Sequence, residues 1–341
     1  MSSSVDKPST TQSPLTGSNV VYAGIAWSVL SLIFFLLFSI TAPGEDSPFW
    51  YMLGTYVLET LPFLAAAILC YRNWHSPNIA SGRSVWLCIG LGMLAWFIGN
   101  LLFGWWELYW GLDPDVSPAD LFYLAFYVLL SWGMVLAVLP RRLNLETWQW
   151  GTIGAIAVVG IALGVVVLLA TPATPDQSNV DTPPPATEQL TSPQTTASLA
   201  APSVAASPAQ GLPATAEVDE NLERQAPAWV MSIERTLSPL SRPVNFFYII
   251  GDVFLLIIAA ALLLAFWGGR FAQSWRMIAA ATLSLYLVDM WFKYIDATAV
   301  EYESGGLPEV LYVFSGVLFA IGAALEYDVS SRSRRSARKR S

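Results

Sequence analysis

Histidine occurs once in this chain and cysteine only twice. His75, Cys70 and Cys88 are too few for a Cys/His zinc or haem site. The two thiols fall at the cytoplasmic end of one expected hairpin, where they stay reduced. Charge is also scarce: 12% of the 341 residues are charged, against about a quarter in a soluble domain. There is no glycine-rich phosphate loop, no nucleophile elbow and no run of metal ligands. The expected cytoplasmic loops are too short to hold a soluble catalytic domain. No cofactor, no metal and no enzymatic activity are expected.

Apolar sequence is abundant. Hydrophobic residues make up 55% of the chain and the mean hydropathy is +0.51. Eight stretches approach the ~20 residues that cross a hydrocarbon core, near 20–41, 50–71, 84–106, 118–139, 150–170, 244–267, 274–295 and 307–327. The fold class is therefore an all-α integral membrane protein with the lipid bilayer as its first partner. The first stretch follows a Ser/Thr-rich polar tail (1–19) and is longer than a cleavable signal core, so it reads as a signal anchor. Trp50, Tyr51, Trp105, Trp106 and Trp110 mark the outer interface; Trp148, Trp150, Trp267 and Trp275 mark the inner one.

Net charge is −8, but its placement matters more. With the N-terminus cytoplasmic, 13 of the 17 basic residues fall inside, including the tail at 328–341. The four others are Arg224, Arg235, Arg242 and Lys293. The positive-inside rule thus places both termini in the cytoplasm. The basic tail reads as a topology anchor that can touch anionic headgroups; nucleic acid is not an expected partner. A bacterial inner membrane fits, and so does a thylakoid. Residues 171–225 are rich in Pro, Ala, Thr and Ser and cannot bury a core. They form the first part of an extracytoplasmic linker at 171–243. Its end carries Trp229, Val230, Ile233 and Leu237 on one helical face, which suits either a short interfacial helix or an irregular lead into the sixth span.

Much of the chain matches itself at an offset of 189 residues. Trp86 falls on Trp275, Asn100 on Asp289, Phe103 on Phe292, Glu107 on Asp296, Asp120 on Glu309, Tyr123 on Tyr312 and Gly133 on Gly322. A four-residue gap upstream also brings Glu59 onto Asp252. Apolar residues match easily by chance, but acid and amide pairs inside apolar segments are rare. The expectation is two parallel four-span repeats, the first at 20–170 and the second at 244–327 (spans 6–8) with its opening span 5 at 150–170, related by an approximate two-fold along the membrane normal.

The matched polar residues share a depth. Glu59 and Asp252 lie about nine residues from the outer ends of their spans, Asn100 and Asp289 about six, and Asp120 and Glu309 two or three. No comparable layer is expected on the cytoplasmic side. Acidic groups in lipid are costly and mark functional sites. Tyr123 follows Asp120, and Tyr312 follows Glu309, each at a spacing that shares a face. Asp120 comes after Ser117–Pro118 and Glu309 after Pro308, so both can also cap a helix start. Asp289 precedes Lys293 by one turn, whereas the first copy has neutral Asn100 and Gly104. That pattern predicts an Asp289–Lys293 pair and leaves Glu59 and Asp252 without a local counter-charge. They become the leading candidates for protonation-coupled or cation-binding behaviour, the alternative being hydrogen-bonded struts.

The run Asn100-Leu-Leu-Phe…Trp106-Glu107…Ser117-Pro-Ala-Asp120-Leu-Phe-Tyr123-Leu-Ala-Phe-Tyr127 resembles N-terminal membrane regions of some bacterial cyclic-di-GMP signalling proteins. Pro308-Glu309-Val-Leu-Tyr312 repeats it loosely. The resemblance implies a sensory or ligand-perceiving module. No GGDEF-like output domain follows, so a signal is expected to leave through a partner protein. Gly251–Asp252 and Asp289 on adjacent spans also invite comparison with intramembrane aspartyl proteases. Against it stand the absence of a glycine-flanked pattern at Asp289, the Glu59/Asn100 pair in the first copy, and the expected Lys293 partner. A sensory or binding module leads, a proton- or cation-coupled transporter is the alternative, and a membrane scaffold or assembly factor is a third.

Charge asymmetry makes a direct prediction. A cysteine introduced into 171–225 should react with an impermeant thiol reagent applied to intact cells. One placed in the basic tail should react only after permeabilisation, and the opposite pattern would invert the topology.

Overall fold

The computed structural model describes residues 16–40, 47–77, 79–112, 114–139, 146–170, 226–266, 272–297 and 304–338, without the side chains of 167–168, 170, 296–297 and 332–338. The low-complexity part of the expected linker, Arg141, Arg142, Trp267 and the Asp296 side chain lie outside it. Every described element is helical: α1 Gly17–Phe38, α2 Phe49–His75, α3 Arg83–Trp110, α4 Asp120–Val138, α5 Thr147–Ala170, α6 Ala228–Leu237, α7 Ser241–Ala265, α8 Ala272–Ala297 and α9 Val310–Arg338. Eight helical stretches are long and apolar enough to cross a membrane. They coincide with the eight stretches read from hydropathy.

Helix ends follow local chemistry more than hydropathy. Helix α3 runs on through Trp106 to Trp110 and stops at Gly111, whose φ of 64° takes the left-handed position that closes many helices. Helix α9 continues to Arg338, so the structure shows no boundary at 327. Residues 228–240 are helical, α6 being followed by a single 3-10 turn, Ser238–Leu240, that leads without a gap into α7. That decides between the two sequence options for this segment in favour of a helix.

Pro62 sits inside α2. Having no N–H, it cannot bond the carbonyl of Leu58 one turn earlier. The indole of Trp27 on α1 donates to that carbonyl at 3.0 Å, so the break in α2 also holds α1.

Helices α2, α3 and α4 pack as consecutive neighbours, and so do α7, α8 and α9. Between the groups, α2 lies on α9 and α4 on α7. Helix α1 rests mainly on α9, and α5 on α7 and α8. Trp86 and Trp275, near the starts of α3 and α8, are both fully buried and meet with ring centroids 6.2 Å apart. Helices α1 and α5 leave most of their apolar side chains exposed, as helices facing lipid would.

A second polar layer lies at the opposite end of the bundle from the acids singled out above, contrary to the expectation of none. Glu326, fully buried in α9, accepts from the Ser81 hydroxyl at 2.7 Å and from its N–H at 3.3 Å. Trp86 donates to the same hydroxyl at 2.7 Å. Asn73 donates to the Ala323 carbonyl at 2.8 Å, and Asp328 accepts the first free N–H of α1, at Gly17. Its polar residues come from the end of α2 (Asn73), the segment before α3 (Ser81), the start of α3 (Trp86) and α9 (Glu326, Asp328), so no single apolar segment displayed them together.

Close packing of α3 on α4 and of α8 on α9 depends on glycine. A Cβ on Gly133 would stand 2.8 Å from Ile89 Cγ1 and 3.2 Å from the Ile89 backbone N. On Gly322 it would stand 2.9 Å from Ile278 Cγ1 and 3.2 Å from the Ser274 carbonyl. Backbone cannot yield as a side chain can, so Gly133→Ala and Gly322→Ala should each destabilise by about 1–3 kcal/mol. Gly151→Ala, with nothing within 4 Å, should be neutral or gain up to about 1 kcal/mol of helix propensity. Thermal unfolding of the detergent-solubilised protein separates the three.

Candidate functional site: a cavity of acids and phenols

A cavity of about 340 Å³ opens between the two groups of helices. Four carboxyl groups line it (Glu59, Asp120, Asp289 and Glu309), with Asn100 and Lys293. Five phenols join them: Tyr56, Tyr123, Tyr127, Tyr248 and Tyr312. Trp96, Phe103 and Phe292 supply apolar wall.

The acids at the helix starts each do two things. Asp120 opens α4, and its Oδ2 accepts the N–H of Ser117 at 2.7 Å. Its Oδ1 accepts the hydroxyl of Tyr248 on α7 at 2.5 Å. Glu309 Oε1 accepts the N–H of Gly305 at 2.7 Å. Gly305 has a φ of 100°, open to glycine with little strain, and its carbonyl accepts the Tyr51 hydroxyl. The capping role anticipated for both acids is therefore present, alongside their place in the cavity wall.

Deeper in, one hydrogen bond is made twice, 189 residues apart. Tyr123 donates to Asn100 Oδ1 at 2.8 Å, and Tyr312 donates to Asp289 Oδ1 at 2.7 Å. Asn100 reaches Thr60 on α2 at 3.4 Å. Asp289 instead meets Tyr127 of α4: the phenol oxygen lies 2.7 Å from Asp289 Oδ2 and 2.6 Å from Asp252 Oδ1. A phenol carries one proton. Both contacts are hydrogen bonds at once only when one carboxyl is itself protonated and donates to the phenol oxygen.

Glycines seat three of the phenols. A Cβ on Gly99 would meet the Tyr123 ring at 2.7 Å, one on Gly251 the Tyr127 ring at 2.7 Å, and one on Gly104 the Tyr56 ring at 3.0 Å. With no side chain in the way, each ring lies against a helix backbone and reaches the polar atom beyond it. Tyr56 bonds Glu107 in this way.

Eight of the nine residues singled out in the sequence line this one cavity: Glu59, Asn100, Asp120, Tyr123, Asp289, Lys293, Glu309 and Tyr312. Asp252 lies one hydrogen bond behind the wall, through Tyr127. The expected Asp289–Lys293 pairing survives only as an electrostatic interaction, which Lys293 also exerts on Asp252; the lysine's hydrogen bond goes elsewhere. Lys293 turns to α7, where it donates to Asn245 Oδ1 at 2.5 Å and stands 5.2 Å from the centre of the Tyr248 ring. The two phenols occupy Asp289 instead. A one-turn spacing allows an ion pair, but a flexible lysine stem also reaches a neighbouring helix. The contrast between a neutralised Asp289 and an unaccompanied Asp252 falls with that pair, since both carboxyls meet at Tyr127.

Glu59 is more than nine-tenths buried and its Oε1 has no hydrogen-bond partner, a lack shared by Asp252 Oδ2 behind the wall. Its carboxyl faces that of Glu309 within hydrogen-bonding reach. Sequence reasoning passed over Tyr56, Tyr248 and Trp96, and named Tyr127 only as the end of the run Asn100…Tyr127. A signal existed for two of these: Tyr56 precedes Glu59 by three residues and Tyr248 precedes Asp252 by four, spacings that stack side chains on a helix. No family model, curated protein or solved structure matches the chain.

Tyr127→Phe would leave Asp252 and Asp289 facing an apolar edge where both met a hydroxyl. Stranding buried polar groups costs about 1–3 kcal/mol. The variant should lose more thermal stability than Tyr123→Phe, which leaves Asn100 its contact with Thr60. Equal losses would mean that Tyr127 bridges nothing of consequence.

Proposed function

We propose that this chain is a non-enzymatic, membrane-embedded ligand-perceiving module that signals through a partner protein. In this reading α1–α4 and α5–α9 are two parallel copies of one unit, and the cavity between them faces outward. The observation that carries it is the cavity itself: acids, amide and phenols scattered over six helices converge on one space large enough for a small molecule.

Several pairs of contacts support duplication. The Tyr123–Asn100 and Tyr312–Asp289 bonds stand at matched positions, as do the Gly133–Ile89 and Gly322–Ile278 contacts. Exchanging α2 with α7 and α4 with α9 turns the α2–α9 interface into the α7–α4 interface, as a two-fold axis would. The orientation rests on the distribution of basic residues. Hydrolysis by Asp252 and Asp289 is disfavoured: where a catalytic pair would hold a water, the Tyr127 hydroxyl lies against both carboxyls.

The same hydroxyl favours one second reading, a proton- or cation-coupled transporter, because a phenol between two carboxyls can relay a proton. Amide variants separate the classes. Glu59→Gln and Asp252→Asn keep shape and hydrogen-bonding capacity but remove titration. A perceiving module should keep its surface level and its co-purifying partner in both variants while losing its response. A transporter should lose uptake with Asp252→Asn and need no partner. Full complementation of a null strain by both variants, singly and together, would remove any functional role for these acids.

A further inference from the structure

The polar atoms of the cavity are unevenly satisfied, and the imbalance specifies a ligand. Asp120 receives Ser117 and Tyr248, and Asp289 receives Tyr127 and Tyr312. Glu309 receives the Gly305 N–H. Glu59 lines the cavity, and alone among the four wall carboxyls it carries a buried oxygen, Oε1, that has no partner. A buried acceptor without a donor is costly, and a donor entering the cavity relieves it.

The walls select what carries that donor. Trp96 stands 5.0 Å from the Tyr123 ring and 5.4 Å from the Tyr312 ring, and Phe292 stacks on Tyr312 at 5.9 Å. Ring faces attract organic cations. Four carboxyls face a single lysine, which favours positive charge further. A bare metal ion suits the site poorly, because no three or more metal-binding side chains converge among the described residues.

We propose that the cavity binds a small organic ammonium ion, its N–H group donating to Glu59 Oε1 and its apolar part lying against Trp96, Phe103 and Phe292. This deepens the ligand-perceiving reading and rests on it. Lys293, on the α7–α8 side, repels the same ligand and sets a limit on affinity.

The test uses the full chain in lipid nanodiscs and a charge series of one shape: phenethylammonium, its neutral counterpart 2-phenylethanol, and the anion phenylacetate, with binding read by calorimetry. Phenethylammonium should bind, and the other two much more weakly. Glu59→Gln should weaken phenethylammonium about 10- to 100-fold, the loss of one charge-assisted hydrogen bond. Lys293→Met should tighten it. This second variant keeps the proposal testable if Glu59→Gln does not fold, because unchanged or weaker binding by Lys293→Met then overturns it. Equal or stronger binding of the alcohol or the anion overturns the ammonium assignment while leaving a ligand cavity in place. Binding of none of the three, at up to about 10 mM, overturns the ammonium assignment. Retention of a ligand-dependent, partner-linked response in cells would then show that the broader reading survives, and its loss that both fall.

Discussion

A carboxyl group buried among apolar helices has no water to turn to, and every such group here is placed by what it finds instead. The partner is usually a phenol from another helix. Tyr127 on α4 touches Asp252 on α7 and Asp289 on α8, while Tyr312 on α9 reaches Asp289 from the other side. Four helices are tied at one point. In an apolar solvent, burial of apolar surface gives little drive for helices to associate, and packing and interhelical hydrogen bonds take over. The network is thus both the polar content of the cavity and the means by which its walls are held in register.

A similar double duty explains why two of the acids, Asp120 and Glu309, sit at helix starts. At the first turn of a helix the free N–H groups need acceptors, and negative charge is favoured there. Asp120 and Glu309 each satisfy that local need with one oxygen. Asp120 turns its other oxygen to Tyr248 in the cavity, while the Glu309 carboxyl faces Glu59. A group held by its own helix end is pre-oriented, so its other contacts are made at less entropic cost. Gly99, Gly104 and Gly251 complete the arrangement by letting phenol rings lie against helix backbones.

The helices were legible because hydropathy and span length are strong signals, and the cavity was legible because acids in apolar segments are rare enough to notice. Asn100, Asp120 and Glu309 were found that way. What stayed hidden was pairing. Lys293 one turn after Asp289 suggested an ion pair, but spacing along a helix says nothing of a better partner across it, and Asn245 lies on α7. Tyrosines were under-read for a similar reason: in a chain rich in aromatics, only the tertiary structure distinguishes a phenol at the lipid interface from one aimed at a carboxyl. The Glu326 layer escaped because its members come from four helices and the segment before α3, near the ends of the apolar stretches.

The cavity is not symmetric at the positions that the 189-residue offset pairs. Asn100 in one group stands where Asp289 stands in the other, and Gly104 where Lys293 stands. Thr55, four residues before Glu59, occupies the place that Tyr248 holds before Asp252. The consequence is a gradient of satisfaction across one small space. On the α7–α8 side Asp252 and Asp289 share the Tyr127 phenol, and a lysine is present. On the α2 side Glu59 Oε1 accepts from no phenol and no cation. A symmetric cavity would hold a small ligand in two equivalent orientations. This one offers a single unsatisfied acceptor against an aromatic wall, so a ligand with one polar end has one preferred orientation, and occupancy would act unequally on the two groups of helices.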